Sequence, residues 1–393
     1  MGEHLRERFA RPGPKRMLAL DGGGVRGLLT VGLLARLEDH LRQRSGNPNY
    51  RLCDYFDLIG GTSTGSIIAT GLALGMSVGE VSALYKTVIP KVFKRFWFQG
   101  MGLLRAMFPS GPLATALAGE FGARTLDTGD LKCGLAVHCK RIDTGSAWVL
   151  VNSPGWRYWD ENRHFRLRDI VQASAAAPHF FTGVMLSMKA PQDRAKTIDA
   201  FVIDGGVAGY NNPAFELLVA ATDPAYGFNW APGANNLYVC SVGTGFLRER
   251  LNARKYREKT FVGQTLNALR TMIHDVSLQQ IAYLQAISES GQRWYINSEK
   301  QDQPTAPYLA PTPVAHYQRM DARIEDVPAN ERRPEHAQML LERDVTAGEM
   351  RGLRGMTNSS DANLGLLFEI GDQAGGHYMK VAPPPAKFDP QPW

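Results

Sequence analysis

The sequence predicts an α/β fold on a mostly parallel central sheet, and three observations carry that prediction. Short apolar runs alternate with amphipathic stretches of helical period over the first 246 residues. Several runs end in a glycine turn beside a polar side chain, as where a strand hands over to a helix. The longest uncharged run, residues 58–79, is interrupted by glycines, Ser and Thr around a Gly-Thr-Ser-Thr-Gly turn. It therefore reads as buried strand, tight turn and buried helix rather than a membrane span.

Met17-Leu18-Ala19-Leu20 ends at Asp21 and three glycines, a buried strand. Leu28, Leu29, Val31, Leu33, Leu34, Leu37 and Leu41 then recur at helical spacing, with Arg36, Glu38, Asp39, Arg42 and Arg44 on the solvated face. Ser45-Gly46-Asn47-Pro48 stops that helix. Residues 56–59 form a second strand that runs into Gly60 to Gly65, and residues 66–74 resume as an apolar helix. Residues 131–138 and 147–152 are strands around a Thr144-Gly145-Ser146 turn. Residues 167–177 predict a helix ended by Pro178. Residues 200–203 predict a strand ending at Asp204-Gly205-Gly206, and residues 236–242 another ending at Gly243-Thr244-Gly245. Beyond Phe246 the pattern changes: residues 248–290 are a long charge-laced helical stretch, 293–297 one more strand, and 322–354 charged and helical. The expected organisation is a catalytic core over 15–246, a mostly helical part over 247–382 packed on the same domain, and a loose proline-rich tail over 383–393.

Composition narrows the function classes. Of 393 residues, 44% are hydrophobic and 21% charged, values of a globular chain and not of a disordered one. The four cysteines lie far apart with no metal-ligand pairing, so they read as buried free thiols in a reducing, cytoplasmic compartment. The charged first 16 residues lack the apolar core of a secretory signal. A net charge of +6 is modest for this length. It does not imply a nucleic-acid partner and is compatible with anionic lipid surfaces.

Three motifs carry chemistry. Gly61-Thr62-Ser63-Thr64-Gly65 matches G-x-S-x-G, in which a serine on a sharp strand-to-helix turn is held clear of the backbone and flanking glycines relieve the crowding. Its context, strand before and helix after, makes Ser63 the candidate nucleophile. Gly22-Gly23-Gly24-Val25-Arg26-Gly27 also follows a strand and opens a helix. As a dinucleotide fingerprint it lacks the second strand with an acidic end, since Glu38 and Asp39 fall inside the helix. The glycine amides read better as an oxyanion hole, with Gly27 supporting the loop and Arg26 either adding a cation or bracing it. Asp204 before Gly205 and Gly206 is the candidate base. No cluster of metal ligands is present, so neither metal nor cofactor is expected.

In this order and spacing, Asp21-Gly22-Gly23-Gly24-Val25-Arg26-Gly27, Gly61 to Gly65 and Asp204-Gly205-Gly206 resemble the signature blocks of patatin-like phospholipases. Residues 173–178 (Ala-Ser-Ala-Ala-Ala-Pro) and 241–245 (Ser-Val-Gly-Thr-Gly) resemble two lesser blocks. Many plant-type members have a proline where Thr30 stands, which concerns the helix start and not the chemistry. The resemblance implies a three-layer α/β/α fold, a Ser63–Asp204 dyad, and metal-free hydrolysis of acyl esters of phospholipids or related lipids. Some bacterial members that resemble this chain are effectors switched on by cyclic nucleotides in antiviral defence, which makes a cyclic-nucleotide activator a candidate partner.

Two rivals stay open at this stage. An α/β-hydrolase would use Ser63 with a late histidine, for which His377 in Gly375-Gly376-His377-Tyr378 is the candidate. A non-catalytic storage protein would keep the fold without the chemistry. Residues 88–108 interleave Phe93, Phe96, Trp97, Phe98 and Phe108 with Lys91, Lys94, Arg95 and Arg105. That pattern fits core packing, single-stranded nucleic acid or transient contact with a membrane surface. The catalytic assignment favours the membrane over the nucleic acid.

Overall fold

In the computed structural model the described residues are 2–93, 108–178, 180–190, 193–248, 254, 257–258, 260–297 and 307–390. Eight strands form one sheet in the order β5-β6-β3-β2-β1-β7-β8, with β4 paired to β3 off that path. Their ranges are β1 Lys15–Leu20, β2 Leu58–Thr62, β3 Gly134–Arg141, β4 Ala147–Val151, β5 Val184–Ala190, β6 Asp193–Asp204, β7 Leu237–Val242 and β8 His316–Met320. β3, β2, β1, β7 and β8 run parallel to their neighbours in that series, while β4, β6 and β5 add antiparallel pairs at one side.

Burial follows from that pairing. Every residue of β1, β2, β7 and β8 is buried, because a parallel strand is covered by helices on both faces. β5 instead alternates buried and exposed positions from Met185 onward, as an antiparallel edge strand with one wet face does. The helix Ala214–Thr222 packs on β1 and β7, and Phe261–Ile287 packs on that helix. Gly27–Ser45 packs on Val78–Val92 and most extensively on Asp361–Val381. The last two approach so closely that a Cβ on Gly371 would stand 2.0 Å from the Leu29 carbonyl oxygen. The result is the expected layered α/β architecture.

The strand expected at 17–20, the helix after it and the strands ending at the three glycine turns are all present. Gly46 ends the first long helix in the left-handed conformation, φ 67°. All four cysteines are free and buried.

Several expectations are corrected. Residues 293–297 form no strand, and 322–354 are mostly irregular chain with short helices Ala337–Leu340 and Ala347–Arg354. Among the described residues the strand of this part is β8, whose His-Tyr-Gln-Arg-Met sequence hides it because buried polar side chains break the apolar pattern. Gln318, for example, accepts from the Tyr238 hydroxyl and donates to the Ala382 carbonyl. The β5–β6 hairpin extends the expected strand at 200–203 far toward its amino end. Glu38 is buried rather than solvated, bonded to Arg42 and to the Val78 amide at the start of the helix Val78–Val92. The tail is not loose as far as Asp389, because Phe388 is fully buried against Tyr238, ring centroids 5.2 Å apart, and Asp389 pairs with Arg44.

Candidate active site

Strand register brings the two chemical side chains together. β2 holds one edge of β3 from Gly134 to His138, and β4 holds the opposite edge over Ala136–Lys140. β6, which pairs with Cys139 to Arg141, must therefore continue along the edge that β2 occupies. Its direction is opposite, so the two strands meet carboxyl end to carboxyl end. Thr62 stands opposite His138 and Asp204 opposite Cys139, the next residue of β3.

Ser63 follows Thr62 with φ 54° and ψ −129°, a left-handed-side conformation that costs a non-glycine residue about 1–3 kcal/mol. The glycines around it are steric necessities. A Cβ on Gly61 would lie 2.2 Å from the Gly65 carbonyl oxygen, and one on Gly65 would lie 2.4 Å from that of Leu20. The turn is pinned from two sides: the Ser63 amide donates to Ser174 Oγ at 2.9 Å, and the Ser63 carbonyl accepts from the Ser66 amide and hydroxyl. Ser174 in turn donates to the His138 carbonyl at 2.7 Å.

Asp204 is buried, 4% exposed, and accepts a hydrogen bond from the Gly206 amide at 2.7 Å, with the Ser63 hydroxyl beside it as a second donor group. Burial pushes its carboxyl up to about 6, against the pull of those two donors. Gly205 permits the approach, since a Cβ there would stand 2.4 Å from the His138 carbonyl oxygen. His377 lies on the helix Asp361–Val381 with its ring beside Tyr378, while the partner of Ser63 is Asp204. His138 donates from Nδ1 to the Gly61 carbonyl, and burial pulls it down to about 4, so it is neutral at physiological pH. His179 lies outside the described residues.

The glycine loop lies across this junction. A Cβ on Gly22 would stand 3.0 Å from Ser63 Cβ, so bare backbone faces the serine. The three amides differ, however. Gly22 N–H is committed to the Asn211 carbonyl at 3.0 Å, which takes it out of the expected donor set, and Gly23 N–H makes a long contact of 3.3 Å to Thr64 Oγ1. Gly24 has φ 59°, its carbonyl accepts from the Tyr85 hydroxyl, and a Cβ there would meet the Met356 carbonyl oxygen at 2.4 Å. That same Met356 oxygen accepts the Val25 amide. Gly27 is required because a Cβ would fall 2.1 Å from the Tyr85 hydroxyl. Arg26 donates to the Gly245 carbonyl at 3.4 Å, the bracing role.

Asp21, at the head of the loop, is gripped by Arg319 of β8 through Nη1 at 3.0 Å and Nη2 at 2.6 Å. Arg319 also bonds Ser241 Oγ and Asp321. Burial pushes the Asp21 carboxyl up to about 6 even against that guanidinium. Among the described residues no group of His, Cys, Asp and Glu is placed to hold a metal ion.

Residues 18–218, which hold half-buried Ser63, buried Asp204 and the triple-glycine loop, fit the family described as "Patatin-like phospholipase". The chain belongs to that family. A cGAMP-activated phospholipase of Vibrio cholerae is 32% identical over 225 residues, 54% of this chain and 58% of that one. One of Escherichia coli with the same name is 30% identical over 234 residues, 58% of this chain and 62% of that one. Patatin group M-1 of Solanum tuberosum is 26% identical over 238 residues, 58% of this chain and 60% of that one. The match thus spans less than two thirds of the curated relatives.

The patatin-like segment holds Ser63, Asp204 and the glycines singled out around them, while the block 241–245 and His377 lie beyond it. Sequence reasoning missed Tyr85, Asn211, Met356 and Arg319 as supports of the glycine loop. Two other supports did leave a signal: Ser174 and Thr244, which bonds the Gly22 carbonyl at 3.2 Å, sit in the two lesser blocks. Arg319 left none. Of the aromatic–basic stretch 88–108, residues 94–107 lie outside the described residues. Its ends are core, with Phe93 and Phe108 buried at ring centroids 5.3 Å apart. No helix among the described residues is long and apolar enough to cross a membrane.

Proposed function

We propose that the chain is a serine acyl hydrolase cleaving carboxylic esters of phospholipids or related lipids, with Ser63 as nucleophile and Asp204 as base. The observation that carries this is the meeting of the Ser63 hydroxyl, on a positive-φ turn, with a buried carboxyl that burial has raised to about 6. Such a carboxylate is ionised at neutral pH, yet basic enough to take a proton in the transition state. Ser63 Oγ attacks the ester carbonyl carbon as its proton passes to Asp204. The oxygen gathers negative charge facing the Gly23 and Gly24 amides, which we assign as the hole in place of Gly22. The C–O bond to the lipid alcohol then breaks, and that oxygen takes the proton from Asp204. Water attacks the acyl-serine, again giving a proton to Asp204; the bond from the acyl carbon to Ser63 Oγ then breaks, Oγ takes that proton back, and the fatty acid leaves. One oxyanion donor contributes about 3 kcal/mol. The test is a digest of mixed phospholipids with Ser63→Ala as control. Fatty acid and lysolipid are expected from the wild type alone, and equal release by both proteins overturns the reading.

The names of the two bacterial relatives support a second layer, hydrolysis switched on by a cyclic nucleotide; to it we add, as our own reading, an antiviral effector acting from the cytoplasm at the membrane surface. Turnover of vesicles with and without cGAMP tests it, with a large rise expected on addition. Identical rates in both conditions remove the activator. Residues 88–108 are the lipid-facing element in this reading, so Trp97→Ser with Phe98→Ser should cost far more on vesicles than on a dispersed short-chain ester, and an equal fractional loss on both removes that role.

A further inference from the structure

β8 lies beyond the segment that matches the family, yet it reaches the front of the glycine loop. Its Arg319, 6% exposed, sits among Asp21 (4%), Asp321 (2%) and Ser241. Two of its nitrogens hold both oxygens of Asp21, a fork that a point-charge ammonium cannot reproduce. The second acid continues the chain of contacts. Asp321 Oδ2 accepts from Arg319, and Oδ1 accepts the Gly245 amide at 2.9 Å. The Gly245 carbonyl then accepts from Arg26, and Thr244 Oγ1 bonds the Gly22 carbonyl. The loop is thus tied at Asp21, Gly22 and Arg26, and the ties at both ends lead back to one guanidinium.

We infer that Arg319 is a positioning residue for the oxyanion hole: by clamping Asp21 and, through Asp321, the 243–245 turn, it aims the Gly23 and Gly24 amides at the developing charge. The inference rests on the acyl-hydrolase reading above. It also means that the family segment is not a complete active site in this chain, because the clamp arrives from residue 319. The oxyanion contact forms chiefly in the transition state, so loosening it lowers kcat and leaves KM nearly unchanged.

The experiment uses the full chain and a soluble short-chain nitrophenyl ester, with Arg319→Lys and Arg319→Met beside Ser63→Ala. Arg319→Lys keeps a buried cation for the two acids and guards against a simple folding failure. It should keep the wild-type thermal midpoint within a few degrees while kcat falls about tenfold and KM stays within about twofold. Arg319→Met should lose more, and adding Asp21→Asn to it should cost no further activity. Hydrogen exchange of the amides of residues 22–27 should quicken in Arg319→Lys, a readout independent of any substrate. Wild-type kcat with unchanged exchange in Arg319→Lys overturns the inference, as does a rise in KM at constant kcat. Failure of the wild type to exceed Ser63→Ala overturns the hydrolase reading instead, and the exchange result then still decides whether Arg319 holds the loop.

Discussion

Three buried aspartates stand at ends of neighbouring strands and differ in the positive charge they receive. Asp57, at the amino end of β2, takes Arg8 at 3.1 Å and Arg16 at 3.0 Å, and those two guanidinium groups hold its carboxyl below the usual range in spite of burial. Asp21, at the carboxyl end of β1, shares one arginine with Asp321 and is pushed up to about 6. Asp204, at the carboxyl end of β6, has only the Ser63 hydroxyl and the Gly206 amide, and burial also pushes it up to about 6. A carboxylate whose oxygens are both bonded by a guanidinium has little capacity left for a substrate proton. One that faces a hydroxyl has that capacity. Counter-charge, more than the pKa itself, separates the base from the braces.

The largest effect that would break this comparison is on activity. Asp204→Asn should lower kcat by about 10³, since the amide keeps the shape but cannot accept the proton. Ser63→Ala should lower it at least as far. Rates on a nitrophenyl ester check both, and residual turnover above about a hundredth of wild type would contradict the roles assigned.

Stability should move in opposite directions at the two raised aspartates. Asp204 binds its proton more tightly folded, near 6, than unfolded, near 3.8. Its burial therefore favours the protein below the unfolded value, and that contribution is lost as pH rises through the folded one. Asp204→Asn should stabilise the fold at pH 7 by about 2 kcal/mol, with the gain fading toward pH 4. Asp21→Asn should destabilise it by about 3 kcal/mol, because Arg319 loses its fork. Denaturant midpoints at pH 7 and 4 check the pair, and a shift of the same sign in both variants breaks the comparison.

A smaller effect sharpens it. Activity should rise with pH through about 6 as Asp204 ionises, and wild-type kcat/KM between pH 4.5 and 8 should show that single limb. A profile flat across that range would mean that another group is the base. Smallest of all, dialysis against a chelator should leave the rate unchanged, and restoration of a lost rate by added metal would refute the metal-free reading.

The chemistry-bearing turns were legible because their demands are local. Gly61 and Gly65 are needed by Ser63 itself, and Gly205 by the residue next to it, so contiguous residues announce the steric problem and its solution. The neighbouring supports were less legible. Gly22 looks like Gly23 in sequence, yet the Asn211 carbonyl takes its amide. Glu38 looks solvated on a helical wheel, yet the helix Val78–Val92 begins on top of it.

What the sequence by itself determined is the set of short-range constraints: apolar strands covered on both faces, helices between them, and glycines at the turns where a Cβ would fall within about 2–3 Å of backbone or a side chain. The tertiary structure alone decided which distant groups meet. Ser63 meets Asp204 because β6 runs against β3 on the edge that β2 vacates, a matter of register between strands far apart in the chain. The clamp on Asp21 spans 298 residues, from a strand whose His-Tyr-Gln-Arg-Met composition carries no apolar pattern. Periodicity reports which face of an element avoids water. It carries no record of which buried charge answers which, since that pairing becomes physical only when folding removes both from solvent.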